Sequence, residues 1–322
     1  MSGETIYTVT LNPAWDRTAE VERLQPGGTH LLGAVRGDAG GKGINVSRVL
    51  CALGQPTCAL GLLGGGAGDE LDQALRQEGV PAAFVRLAAA CRVNTKIVDR
   101  AAGVTTEFNE MGPRVDDGAL DQLEARLKGL PQGAVTVLAG SLPPGAPARW
   151  YARAAELCHA RGGRVVLDAS REALRLGLEG EPEIVKPNRD ELACLCGGAS
   201  LREEQLPAAA RALLRGRTRL AAVSLGAEGA LFVTDQFAVR VKAPRVRAVS
   251  TVGAGDTMTA VLARWLASRP QRWEPQEEET LSALARQAVA AATAKVLRPG
   301  TQPPQMQEIA SLLPGVQVSM LR

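Results

Sequence analysis

The chain reads as an α/β protein: a mostly parallel central sheet covered by helices on both faces, with a small β-sheet lid. Three observations carry this reading. Six short apolar runs, at 6–11, 58–63, 135–139, 165–168, 184–186 and 220–225, are bounded by Gly, Pro or polar residues and are too short for helices. Helical spacing fills several of the gaps between them, as in Val46/Val49/Leu50/Leu53 ending at Gly54 and Leu120/Leu123/Leu127 after Asp116-Asp117. Alternation of apolar strands with helices is the pattern of a parallel sheet buried on both faces. Finally, two excursions at about 14–38 and 91–111 read as short strands and turns, whose polar side is either a solvated outer face or a small β-lid offered to a ligand. In the second, side-chain alternation puts Val93, Thr95 and Ile97 on one face and Arg92, Asn94 and Lys96 on the other. A helix is expected over 276–297 (Leu281, Leu284, Ala288, Ala291, Ala292), before a Pro303-Pro304 break and a final segment. With no repeat and no low-complexity linker, residues 1–322 are expected to form a single domain.

Composition removes several function classes. A net charge of +3 is too small to argue for nucleic acid or a membrane surface, and 3% aromatics leave few stacking platforms for single strands. Two histidines, His30 and His159, argue against a zinc site or a Ser-His-Asp hydrolase. Six cysteines without CxxC or framework spacing read as reduced thiols, and no signal peptide or membrane-length apolar run is evident, so a cytoplasmic location is expected. Of 37 basic residues only Lys42, Lys96, Lys128, Lys186, Lys242 and Lys295 are lysines. Lysine retained in a glycine loop (Lys42), before Pro-Asn (Lys186) or on an alternating strand (Lys96) suggests a need for a compact point charge, whereas Lys128 and Lys242 read as surface residues.

The most telling motif is STVGAGDT at 250–257. Gly253, Ala254 and Gly255 expose bare backbone just before a helical apolar stripe, and a helix start of that kind offers free N–H groups and a positive dipole end to an anion. Asp256 adds a carboxylate at its edge, so the run suits phosphoryl transfer to an alcohol. There is no GxxxxGK[ST] and no complete GxGxxG. Asp16 lies just beyond the first strand, where open α/β sheets bind ligands, and could accept from two hydroxyls of a polyol; alone it would read as a turn or cap residue. Gly40, Gly41, Lys42, Gly43 and Asn45 combine close backbone approach with a cation at a helix start. Asn188 and Glu191 have capping-box spacing but also offer hard oxygen ligands for hydrated Mg²⁺. The run 223–230 reads as a strand, a tight glycine turn and a strand.

Six motifs in order, TLNPAWD at 10–16, GGKGIN at 40–45, GSLPPG at 140–145, VKPNRDE at 185–191, VSLGAEG at 223–229 and STVGAGD at 250–256, resemble the PfkB-type carbohydrate kinases along nearly the whole chain. The opening TLNP, the Arg-x-Asn-x-Lys pattern at 92–96 and TEFN at 106–109 resemble its phosphosugar branch, 1-phosphofructokinases first. The resemblance implies a ribokinase-like three-layer αβα sandwich that uses ATP and Mg²⁺ and dimerises through its β-lids. It implies that Asp256 is the general base and that the amides of Gly253, Ala254 and Gly255 form the anion hole. Asp16, Gly41, Lys42 and Asn45 would hold the sugar, and Arg92, Asn94 and Lys96 its existing phosphate. Lys186, Asn188, Ser224, Gly226, Gly229 and Thr251 would serve ATP, with Glu191 and Asn188 at the metal, partly through water. The implied reaction converts fructose 1-phosphate to fructose 1,6-bisphosphate; tagatose 6-phosphate or fructose 6-phosphate is the alternative acceptor, and a non-catalytic sugar-phosphate sensor is a more distant reading. The sequence departs from the branch at Cys91, Ala139 and Leu31, the last where relatives carry an Arg thought to reach a partner's site.

Overall fold

The computed structural model describes residues 4–198, 200–270 and 278–321. Fourteen strands are described: β1 (Ile6–Thr10), β2 (Ala14–Val21), β3 (Val35–Gly40), β4 (Thr57–Gly64), β5 (Ala82–Leu87), β6 (Arg92–Asp99), β7 (Val104–Phe108), β8 (Val135–Gly140), β9 (Arg164–Ala169), β10 (Ile184–Val185), β11 (Leu220–Ser224), β12 (Ala230–Val233), β13 (Ala238–Lys242) and β14 (Gln317–Leu321). The helices are α1 (Lys42–Ala52), α2 (Gly65–Gln77), α3 (Asp117–Lys128), α4 (Trp150–His159), α5 (Arg171–Gly177), α6 (Arg189–Leu195), α7 (Leu206–Arg211), α8 (Ala254–Ala267), α9 (Glu278–Val296) and α10 (Met306–Leu312). All six apolar runs are strands. The expected start of α9 at Gln276 lies outside the described residues. Asp116 caps α3 by accepting from Ala119 N–H, which is why the stripe Leu120/Leu123/Leu127 begins there.

The main sheet runs β14-β13-β12-β11-β10-β9-β8-β1-β4-β5. Strands β11 to β5 are parallel; β11–β12, β12–β13 and β13–β14 are antiparallel. The antiparallel end is larger than the apolar runs forecast. Strand β14 is an edge strand with alternating, half-exposed residues, and only its partner β13 gives it a place. The period of two divides the interior. Val165 and Leu167 of β9 and Leu138 of β8 pack with Leu123 and Tyr151 on one face. Val166, Val135 and Val137 pack with Leu50, Leu262 and Leu284 on the other. Each such fully buried side chain contributes ~1.5–3 kcal/mol.

The lid is a separate four-stranded sheet, β3-β2-β6-β7. Strand β2 pairs in parallel with β6, Asp16 opposite Asn94, and antiparallel with β3. The chain passes from β1 to β4 and β5 on one side and to β8 and β9 on the other. The order therefore reverses at β1, and the crevice beyond the carboxyl ends there is where such sheets take ligands. Among the described residues no helix is long and apolar enough to cross a membrane.

Candidate active site

Two glycine-initiated helices converge beyond those strand ends. Gly41, at φ 121°, lets the chain leave β3 and enter α1; a methyl group there would lie 2.9 Å from Thr10 Cγ2. This turn brings Lys42 to the first turn of α1 and Asn45 one residue beyond it. Gly253, at φ 81°, starts α8 and sets Asp256 in its first turn, in the positive field of the helix end. The N–H groups of Gly253 and Gly255 have no acceptor among the described residues. That of Ala254 makes a long 3.4 Å bond to Thr251 O. Two of the three expected anion-hole amides are thus free, and the third is weakly engaged.

Asp256 is 7% exposed, and its Oδ2 accepts from Asn45 Nδ2 at 2.8 Å. Asn45, expected on the sugar, is a hydrogen-bond partner of Asp256. Beside it lies a carboxylate that the motifs did not single out. Asp168, at the end of β9, is fully buried. Its Oδ1 accepts from Lys42 Nζ at 2.8 Å, and its Oδ2 accepts from Thr259 Oγ1 at 2.7 Å with Lys186 Nζ at 3.1 Å. One buried anion therefore ties Lys42 of α1 to Lys186 after β10. A methyl group on Gly255 would lie 3.4 Å from Lys186 Nζ, so the ammonium stands beside the free amides.

This cluster separates the two carboxyl groups. Burial, and then the charge of Asp168, push Asp256 up to about 6, against the pull of Lys42, Asn45 and Lys186. Burial also works against ionised Asp168, but Lys186 and Lys42 outweigh it and hold that carboxyl well below the usual range. Burial alone would lower Lys42; Asp168, Glu191 and Asp256 hold it above its ordinary value. The arrangement suits a proton acceptor working near neutrality beside a fixed ion pair.

The lid face is built by the β2–β6 register. Asn94 Nδ2 donates to Asp16 Oδ1 at 2.8 Å, and Lys96 Nζ lies 3.5 Å from Asp16 Oδ2. The Arg92 guanidinium donates to Asn12 O (3.1 and 3.2 Å) and reaches Asn94 Oδ1 at 3.4 Å. The expected face of two cations and an amide exists, but Asp16 sits among them, because parallel pairing puts equivalent positions on the same side. Gly40 makes room for it; a Cβ there would lie 2.8 Å from Asp16 Cγ. A cleft of about 550 Å³ separates this face (Asp16, Lys96, Glu107) from the segment carrying Ser250, Thr251 and Val252. Arg36 pairs with Asp38 of its own strand at 2.8 Å. Thr251, expected on the nucleotide, therefore lines the cleft opposite the lid.

On the other side, Ser224 bridges to Asn188, and its N–H donates to Pro187 O at 3.0 Å. The following turn uses positive φ at Gly226 (60°) and Gly229 (100°). Asn188 and Glu191 form the capping box of α6: Asn188 Oδ1 accepts from Glu191 N–H (2.7 Å), and Glu191 Oε2 accepts from Asn188 N–H (2.9 Å). The box leaves Oε1 of half-buried Glu191 outside it, and among the described residues no three His, Cys, Asp or Glu form a metal cage. That donor set fits a largely hydrated divalent cation carried on phosphates.

Asp168 had a sequence signal, a carboxylate closing an apolar run, the same signal that pointed to Asp16. Lys295 had none beyond being one of six lysines.

Residues 9–308 match the pfkB family carbohydrate kinases. The chain is 40% identical over 265 residues to a 1-phosphofructokinase of Xanthomonas campestris pv. campestris, covering 80% of this chain and 82% of that protein. It is 34% identical to a 1-phosphofructokinase of Vibrio cholerae, over 98% and 97% of the two chains. The crystal structure of Escherichia coli phosphofructokinase-2 in complex with potassium superposes with a TM-score of 0.89 at 31% identity, over 97% of this chain and 98% of that one. The free amides at the start of α8, the carboxylate beside them and these matches agree: the chain belongs to the pfkB family of carbohydrate kinases.

Proposed function

We propose that the whole chain works as a single ATP-dependent kinase domain whose acceptor is a ketose monophosphate, fructose 1-phosphate, and whose product is fructose 1,6-bisphosphate. The observation that carries this reading is Asp256, raised toward neutrality beside free helix-start amides, with the 250–252 segment that leads into those amides facing Asp16 and Lys96 of the lid across a cleft. Asp256 takes the proton of the sugar 6-OH as that oxygen attacks the γ-phosphorus and the bond to the bridging oxygen breaks, releasing ADP. The Gly253 and Gly255 amides, joined by that of Ala254, and the Lys42 and Lys186 ammoniums meet the charge on the transferring group; donors of this kind are worth ~3 kcal/mol each in a dry site. Asp16, Gly41 and Asn45 orient the sugar hydroxyls. Ser224, Gly226, Gly229 and Asn188 border the nucleotide, with Thr251 at the junction. Glu191, with Asn188, would hold the hydrated Mg²⁺ that screens the ATP phosphates when bound. Closing the lid excludes water, which would otherwise compete as acceptor.

The similarity to Escherichia coli phosphofructokinase-2 favours fructose 6-phosphate as the second reading. Steady-state kinetics with fructose 1-phosphate, fructose 6-phosphate and tagatose 6-phosphate test the choice. The highest kcat/KM is expected for fructose 1-phosphate, with Arg92→Ala raising its KM ~10–100-fold through the lost charged contact. Preference for an unphosphorylated sugar, indifferent to Arg92, would sink the phosphosugar assignment. Absence of ADP release with every phosphosugar would favour the sensor reading.

The lid sheet leaves β3 and β7 as edges and exposes Leu31, Val35, Val104, Phe108 and Met111. A second copy's lid, with the same open edges and apolar face, is the proposed cover. Light scattering is expected to give a dimer, and Phe108→Asp a monomer of raised phosphosugar KM; a monomeric parent protein contradicts this.

A further inference from the structure

Lys295, in the last turn of α9, is 1% exposed and takes no part in the chemistry described above. Its Nζ donates to Gly300 O at 2.9 Å and, at 3.5 Å, to Arg298 O. Among the described residues no carboxylate oxygen lies within 4.0 Å of it. Its neighbour Arg48 is also buried, with Nη1 on Thr301 Oγ1 at 2.6 Å and its other nitrogens on Glu78. An ammonium buried beside another cation, holding only carbonyls, is costly unless something negative comes close.

The surroundings indicate where that negative charge arrives. Val296 O, one residue on, accepts from Val249 N–H at 2.7 Å and from Ser250 N–H at 3.1 Å. Ser250 Oγ donates to the same Gly300 O that Lys295 holds. The turn after α9 is thereby fastened to the segment leading into the anion hole. A methyl group on Gly253 would lie 3.3 Å from Lys295 Cε, so the lysine stem runs directly beneath the first residue of the hole.

We propose that Lys295 is a positioning residue: its buried ammonium locks the 298–300 carbonyls against the 249–253 segment and sets a fixed positive charge behind the anion hole, serving phosphoryl transfer without touching either substrate. This rests on the reading of 253–256 as the anion hole. The charge itself is sensitive to pH. Burial and Arg48 of α1, with Arg298 of the turn, pull Lys295 down to about 8, while Asp256 of α8 and Asp38 of β3 oppose them. The ammonium is intact below that value, so kcat/KM of the free enzyme falls as pH rises through about 8.

The test uses full-length Lys295→Met and Lys295→Gln, with thermal melts to establish folding. The readouts are kcat, KM, and affinity for ADP with and without aluminium fluoride, which places a phosphoryl-like anion in the hole. In the folded variants kcat is expected to fall on the order of 10²-fold, like loss of an anion-hole donor, with little change in phosphosugar KM. ADP affinity is unchanged, the fluoride enhancement is lost and the alkaline limb near 8 disappears. Methylammonium, but not choline, restores part of kcat in Lys295→Ala. Near-parental kcat in either folded variant, or equal loss of affinity for ADP and for its fluoride complex, overturns the proposal. A parent protein that turns over no phosphosugar defeats the kinase reading instead, and the fluoride arm still decides this one.

Discussion

Asp256→Asn is expected to lower kcat by ~10³-fold or more while the protein stays folded and binds ATP, because asparagine keeps the shape and cannot take the proton. Asn45 Nδ2 donates to Asp256 Oδ2, so the variant changes the charge and one hydrogen-bond partner without opening a cavity. The parent enzyme supplies a second check. With Asp256 raised to about 6 by burial and by Asp168, the base is ionised above that pH, and kcat/KM falls as pH drops through it. Near-normal turnover of Asp256→Asn, or an acid limb left in place in its residual activity, would remove Asp256 from the role.

Asp168→Asn is expected to be the most disruptive single change to the site. It leaves Lys42 and Lys186 without their shared counter-ion, and breaking a buried ion pair in this way costs ~3–5 kcal/mol. Across a chain of this size that is a fall of roughly 4–7 °C in melting temperature. The carboxyl of Asp168 is held below its unfolded value of 3.8, so its stabilisation is complete above about 4 and is lost as pH falls through the folded value. Asp256 works the other way: raised on folding, it opposes stability at neutral pH, and that penalty disappears as pH falls from about 6 to 4. Asp168→Asn also removes a negative charge beside Asp256 while two ammoniums remain. In whatever activity survives, the acid limb should move to lower pH. Measured by thermal melts and pH–rate profiles, an unchanged melting temperature together with an unmoved limb would show the cluster to be idle.

How far the site was legible depended on whether a residue's neighbours in sequence are also its partners in space. The helix start at 253–256 was legible because its chemistry is local: glycine at positive φ, free amides and a carboxylate in the first turn all lie within one motif. The capping box at Asn188 and Glu191 was legible for the same reason. The Arg92/Asn94/Lys96 face followed from strand alternation. That Asp16 sits among those cations did not, because the β2–β6 register joins segments 78 residues apart. Asp168 joins Lys42, 126 residues away, and Thr259, 91 away; nothing near Asp168 in the chain names either. Strand β14 was unreadable because a short, half-exposed edge strand carries little apolar signal, and β13, though largely buried, offers only five residues.

By itself, then, the sequence determined the layered α/β architecture, the glycine-led helix start, the carboxylate in its first turn and the polar face of the small sheet. Those properties arise from periodicity and from dihedral freedom within a few residues. Only the tertiary structure decided that one buried carboxylate yokes two lysines, that burial and then that carboxylate's charge raise Asp256 toward neutrality, and that Lys295 lies under the start of α8. Those properties are set by electric fields over a few ångströms in a dry interior, between groups the chain keeps dozens to hundreds of residues apart.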